Sequence, residues 1–216
     1  MDKNIVFDFD ETIGYFEQII EMIKYTKKNS KEDVFHFLKL FPFVFRTNIF
    51  DIFYYIVRLK KEKKIKSVIL YSNNNNDLFI GYVISYIHDT LNYNLFVSTI
   101  SLNQTHNKNK NITDLLNNSN CLLNKNSSIF FIDDKEYDDV KSSKNCKYYI
   151  KCESYKYVYT YSIIEYIFTI NDISNYIDEK MQKMQKMQIK KNKISQSIYE
   201  IISKEIINKL RVFVLF

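Results

Sequence analysis

Apolar positions along the chain alternate between short unbroken runs and stretches with helical spacing. Residues 4–9, Asn-Ile-Val-Phe-Asp-Phe, are almost continuous β-formers and predict a short buried strand that ends on acidic residues. Similar runs predict strands at 67–71, 95–99, 128–132 and 147–151. Helical spacing governs what lies between them. Phe16, Ile19, Ile20 and Ile23 share one face of a predicted helix over 15–28. Val34, Phe37, Leu38 and Phe41 do the same over 31–40, where Pro42 stops the pattern. Ile49, Ile52, Phe53, Ile56, Val57 and Lys60 follow over 48–61. A helix over 77–91 is apolar nearly all round and is expected to be buried. The Asn/Lys-rich stretch 103–111 reads as a loop, with Asn111 a cap for a helix that begins there.

Strands alternating with helices predict an α/β fold, a Rossmann-like three-layer α/β/α core around a mostly parallel sheet. In such sheets the site lies beyond the carboxyl ends of the strands. This sequence places its carboxylates there: Asp8, Asp10 and Glu11 after the first strand, Asp133 and Asp134 after the fourth.

Composition alters this picture little. The chain has 31 Ile and 23 Asn, but no Ala, no Trp and only 2 Gly. Residues with AT-rich codons dominate, so the Asn73–Asn76 run reads as base bias and not as a prion-like tract. Three cysteines (Cys121, Cys146, Cys152) form no CxxC pair, and no secretory leader pattern opens the sequence. An intracellular, reducing compartment is expected, cytoplasmic or nuclear. His36, His88 and His106 show no metal-ligand spacing, and no apolar run reaches the ~18–20 residues of a membrane span.

Charge is uneven. Residues 181–216 carry eight Lys/Arg against two Glu, while the rest of the chain is balanced. Residues 181–193 form a Met-Gln-Lys near-repeat, expected to be a solvated helix or a loose linker. Residues 194–210 place Ile194, Ile198, Ile201, Ile202 and Ile206 in a stripe suited to burial, so a helix at least partly docked is expected, with a detached appendage as the alternative. With only Tyr199 interleaved among its charges, the tail gives no strong nucleic-acid signal.

The sharpest chemical signal is Asp8-Phe-Asp10-Glu-Thr12 directly after the first strand. Carboxylates two residues apart point the same way and can converge on one metal or one electrophile. The motif resembles the nucleophile motif of the haloacid dehalogenase (HAD) superfamily of phosphohydrolases. Three more segments fit that family's order: Val68-Ile-Leu-Tyr-Ser72 for its hydroxyl motif, Lys110 or Lys108 for its lysine, and Phe130-Phe-Ile-Asp133-Asp134 for its acidic pair. Spacing to Asp114-Leu115 favours Lys110. The Asp-x-Asp-Glu-Thr form is similar to the branch acting on the RNA polymerase II carboxy-terminal domain, as is Phe45-Arg46, though Pro and Gly are missing after it.

The resemblance implies an Mg²⁺-dependent phosphomonoester hydrolase working through an aspartyl-phosphate. Asp8 would be the nucleophile and Asp10 the general acid and base. Thr12 and Ser72 would donate hydroxyls to phosphate oxygens, and Lys110 would neutralise developing charge. Asp8, the Asp10 carbonyl and Asp134 or Asp133 would hold the metal, with Asp134 preferred. Asp138 and Asp139 are expected to support the site from behind or to be solvated, and Arg46 to anchor a loop. The implied layout is a phosphatase domain over 1–180 with a small helical cap at 14–45, and a basic helical extension over 181–216. The substrate would be a phosphorylated protein or small molecule; a nucleotide or polynucleotide-end phosphatase, and a non-catalytic interaction module with a basic tail, are the alternatives. Oligomeric state is left open by the sequence, and no membrane partner is expected.

Overall fold

The computed structural model describes residues 2–105, 107, 109–171 and 196–215. Five strands form one sheet: β1 (Lys3–Phe7), β2 (Ser67–Tyr71), β3 (Ser98–Ile100), β4 (Ser128–Asp133) and β5 (Cys146–Lys151). Their order is β3-β2-β1-β4-β5 and every pairing is parallel. The chain runs outward from β1 to β3, then returns to place β4 on the other side of β1. β1 therefore sits where the winding reverses, and the crevice at its carboxyl end is where parallel sheets of this kind bind ligands. The third strand is shorter and later than the run at 95–99 predicts, because Leu95 and Phe96 pack into the core ahead of the ladder.

Alternation along the strands splits the interior into two layers. Ile5, Phe7, Val68, Leu70, Phe130 and Ile132 face one side. Val6, Ile69, Tyr71, Ile129 and Phe131 face the other. The first side is thickly covered by α1 (Glu17–Thr26), α2 (Lys31–Leu40), α3 (Ile49–Lys61), α4 (Asp77–Leu91) and α8 (Tyr161–Ile170), and by α9 (Gln196–Leu215). The second is covered mainly by the short α6 (Ile112–Asn118) and α7 (Asp138–Ser142), with α5 (Leu102–Thr105) ahead of them where a plain loop is expected.

α2 begins on a capping box, Ser30 with Asp33, and ends against Pro42. α1 and α2, the expected cap, bury Ile19, Met22, Val34, Phe37 and Leu38 in the main core. Phe37 lies 6.1 Å from Phe168 of α8, ring to ring. α4 is one-sided, contrary to its all-round apolar pattern: Phe79, Ile80, Val83, Ile87 and Leu91 are buried while Leu78 is exposed.

α9 docks on α3 and β5 through a face that shares Ile206, and Ile202 at its edge, with the isoleucine stripe but is rotated away from the rest of it. Tyr199, Ser203, Ile206, Leu210 and Phe213 are buried, whereas Ile198 and Ile201 face outward. The spacing is that of a heptad seam. Ile194 and the near-repeat at 181–193 lie outside the described residues. Among the described residues no helix is long and apolar enough to cross a membrane.

Tight turns are made almost without glycine. Glu11, Lys27, Asn48, Lys63, Asn92, Asn120 and Cys121 all take left-handed backbone. This is the region that favours Gly, so each residue other than Asn stands there at some steric cost.

Candidate active site

Asp8 is the first residue past β1, and its N–H still donates to the Ile132 carbonyl at 2.9 Å. The sheet therefore places it rigidly. Residues 9–14 then make one tight turn, with Ile13 N–H donating to Phe9 and Glu11 N–H to Gly14. Glu11 sits at φ 61°. Gly14 is required here for space: a Cβ would lie 2.5 Å from the Val44 carbonyl oxygen and 2.6 Å from the Phe16 ring.

Arg46 locks this turn from below. It is buried, and donates to the carbonyls of Thr12 (2.6 Å), Glu11 (2.7 Å) and Glu153 (2.6 Å). Its guanidinium lies over the rings of Tyr155 and Tyr199, and Nη1 has no hydrogen-bond partner among the described residues. The anchoring role expected of Arg46 is the one it has.

Lys110 enters from the opposite layer, immediately before α6, whose cap Asn111 accepts from Asp114 N–H at 2.7 Å. Its ammonium is 2.5 Å from Asp8 Oδ1 and 2.6 Å from Asp133 Oδ2. Tyr71 and Tyr137 flank it, with ring centres 5.5 and 5.6 Å away. Lys108 lies outside the described residues.

Asp133 also accepts from Lys135 N–H at 2.8 Å. Asp134 is held separately: Ser154 Oγ donates to it at 2.8 Å, and its N–H donates to Thr12 Oγ1 at 2.9 Å. The Thr12 hydroxyl is buried against Asp134, 3.5 Å from the carboxylate. Ser72 is buried at the end of β2 and accepts from Asn74 N–H at 3.0 Å, which leaves its own proton to donate. Asn74 Nδ2 in turn donates to Asp10 at 3.0 Å. Asp138 is exposed, and Asp139 accepts from Ile112 N–H at the start of α6, so neither reaches the cluster.

Electrostatics make this arrangement costly without a further cation. Burial raises Asp10 to about 6, with the Asn74 hydrogen bond opposing and the Asp8 charge reinforcing the rise. Burial and Asp8 also push Asp133 upward, against the pull of Lys110. Asp134 is raised by burial. Burial alone would lower Lys110, but Asp8 and Asp133 together raise it, so it stays charged. One ammonium pairs directly with two of the four carboxylates, Asp8 and Asp133. Asp8, Asp133 and Asp134 each offer an oxygen within 4.8 Å of the others, an all-oxygen set suited to a hard divalent cation.

Asp8, Lys110, Asp133 and Asp134 are thus brought together by two strand ends and one opposing loop, with Ser72 and Asp10 at the border of the cluster. Asn74, Ser154 and Tyr199 were not legible as site residues. Asn74 is hidden in a run that looks compositional, and Ser154 and Tyr199 carry no local signal. Comparison with protein-family models, with curated proteins and with solved structures finds no match for this chain.

Proposed function

We propose that the chain is a phosphomonoester hydrolase resembling the HAD superfamily, acting through an aspartyl-phosphate. The observation that carries this reading is the buried convergence of Lys110 on Asp8 and Asp133 beside Asp134. A structural ion pair needs one acid per base; here the acids exceed the base at the switch point of a parallel sheet.

In the proposed reaction Lys110 holds one oxygen of Asp8 and the other attacks phosphorus. The ester oxygen departs with a proton from Asp10, whose burial keeps that proton available well above the usual carboxylate range. Asp10 then takes a proton from a water that attacks the phosphorus of the aspartyl-phosphate, which frees phosphate and restores Asp8. Ser72 donates to a phosphoryl oxygen, and Lys110 screens the charge on Asp8 throughout. Asp8, Asp134 and the Asp10 carbonyl would hold Mg²⁺, which when bound would neutralise charge between phosphate and carboxylates. The apolar faces of α1 and α2 are committed to the core with α4 and α8, which supports a phosphate carried on a large substrate such as a protein side chain.

The test is hydrolysis of an aryl phosphate and of phosphopeptides, with Mg²⁺ and with chelator, by the wild type and by Asp8→Asn. Turnover that needs divalent metal and falls at least a thousandfold in Asp8→Asn is expected. Equal turnover by the variant would remove Asp8 as nucleophile, and full activity in excess chelator would remove the metal.

A further inference from the structure

At the end of the sheet opposite Asp8, a cavity of about 660 Å³ opens beside the start of β1. Its walls carry Lys3, Lys60, Lys63, Lys64 and Lys66, with Asp2 as the one acid among them. Three separate elements supply these lysines: Lys3 from β1, Lys60 from the last turn of α3, and the others from the turn into β2. The negative end of the α3 dipole explains basic residues in its own last turn. It does not explain lysines brought to the same place by β1 and by the turn.

The local partners leave the cavity positive. Lys66 pairs with Asp2 at 2.6 Å and Lys64 with Glu62 at 2.7 Å. Lys60 and Lys3 donate to backbone carbonyls, those of Lys66 at 2.5 Å and Val214 at 2.9 Å. A carbonyl satisfies one ammonium proton of three and cancels no charge. Asp2 in the wall and Glu62 outside it are therefore the carboxylates paired with a concavity lined by five lysines. Tyr93 adds an aromatic face to the wall, with the Lys61 ammonium 5.8 Å from its ring centre.

We propose that this cavity binds a polyphosphate anion, free or carried by a nucleotide. Several ammonium groups on one wall match a ligand with several adjacent anionic oxygens, and the volume is in the range of small-ligand sites, ~300–1,000 Å³. The phosphates lie against the lysines; on a nucleotide, the base lies against Tyr93, since any base offers a face for stacking. Asp8 and Ser72 stand at the far ends of β1 and β2, roughly 17 Å away for a five-residue strand. The bound anion is therefore not the substrate of that site, and this proposal stands whether or not the hydrolase reading does.

The experiment is calorimetric titration of the full chain with inorganic triphosphate, a nucleoside triphosphate and a single-stranded oligonucleotide at low salt. Two double variants are compared: Lys63→Glu with Lys64→Glu in the cavity, and Lys39→Glu with Lys147→Glu elsewhere, which carry the same change in net charge. Saturable triphosphate binding that weakens at least tenfold in the first and less than threefold in the second is expected. Tighter binding of the nucleoside triphosphate than of triphosphate, lost in Tyr93→Leu, assigns the base to Tyr93; equal binding assigns the bare phosphate chain. Equal weakening in both double variants, or no binding by a wild type whose thermal midpoint marks it as folded, overturns the site. Binding of the oligonucleotide in preference to both small ligands overturns its assignment to a small polyphosphate.

Discussion

The Tyr199 hydroxyl donates to the Ser154 carbonyl at 3.0 Å, and the hydroxyl of that serine donates to Asp134 at 2.8 Å. A helix more than forty residues downstream thereby braces a carboxylate of the acidic cluster. Tyr199→Phe keeps the ring that packs 4.7 Å from Tyr155 and removes only the hydroxyl. The Mg²⁺ concentration giving half-maximal hydrolysis is expected to rise about tenfold, as when groups supporting a metal ligand are lost. Metal titrations of activity check this; an unchanged midpoint would mean that Asp134 is held without Tyr199.

Lys110→Met removes the ammonium that lies between Asp8 and Asp133. Breaking one side of a buried pair costs about 3–5 kcal/mol. Urea unfolding without metal is expected to show a loss on that scale. Added Mg²⁺ is expected to recover more stability in the variant than in the wild type, because the cation then answers more unpaired charge.

Asp10→Asn is expected to stabilise the metal-free fold while destroying activity. The folded protein raises the Asp10 carboxyl from 3.8 to about 6, chiefly by burial. Stability from this raised value is complete below pH 3.8 and is lost as pH rises through about 6. At neutral pH the ionised group costs at most about 3 kcal/mol, at 1.36 kcal/mol per pH unit. Unfolding curves at pH 4.5 and pH 7.5 check the sign: the gain from Asn is expected to be larger at pH 7.5.

Shortening the chain to end at residue 171 removes α9. Tyr199, Ile206, Leu210 and Phe213 are all buried against the core. At roughly 1.5–3 kcal/mol per large apolar side chain, the loss is on the order of 6–12 kcal/mol. That equals the whole stability of an ordinary domain, about 5–15 kcal/mol. Expression without soluble, cooperatively unfolding protein is expected. A soluble product with the wild-type midpoint would mean that the helix is dispensable.

The parts of the fold that sequence reveals are those where one local pattern decides the outcome. β2 and α2 appear at the predicted residues because unbroken β-formers and a capped amphipathic run leave little choice. Asp8, Lys110, Asp133 and Asp134 were legible because they follow strands or open a helix. The tail was not. Ile198 and Ile201 look like core residues and face outward, while Ser203 is buried because its hydroxyl donates to the Thr47 carbonyl at 2.7 Å. Which face of a helix is buried depends on the shape of what it meets, and hydrophobicity alone did not order the two faces. The pairing of Thr12 with Asp134 carries no sequence signal for a related reason: the two lie 122 residues apart.

The left-handed turn at Lys63 joins two demands that pull apart. It ends α3 with the Lys63 N–H on the Lys60 carbonyl and the Lys64 N–H on the Leu59 carbonyl, the closure that glycine performs best. Lys63→Gly would relieve about 1 kcal/mol of steric cost. The same change would delete one of five ammonium groups from the cavity wall. Gain in melting temperature and loss of anion affinity would then come from a single substitution. A chain short of glycine for compositional reasons has, at this turn, a side chain that a stability-minded redesign would be the first to discard.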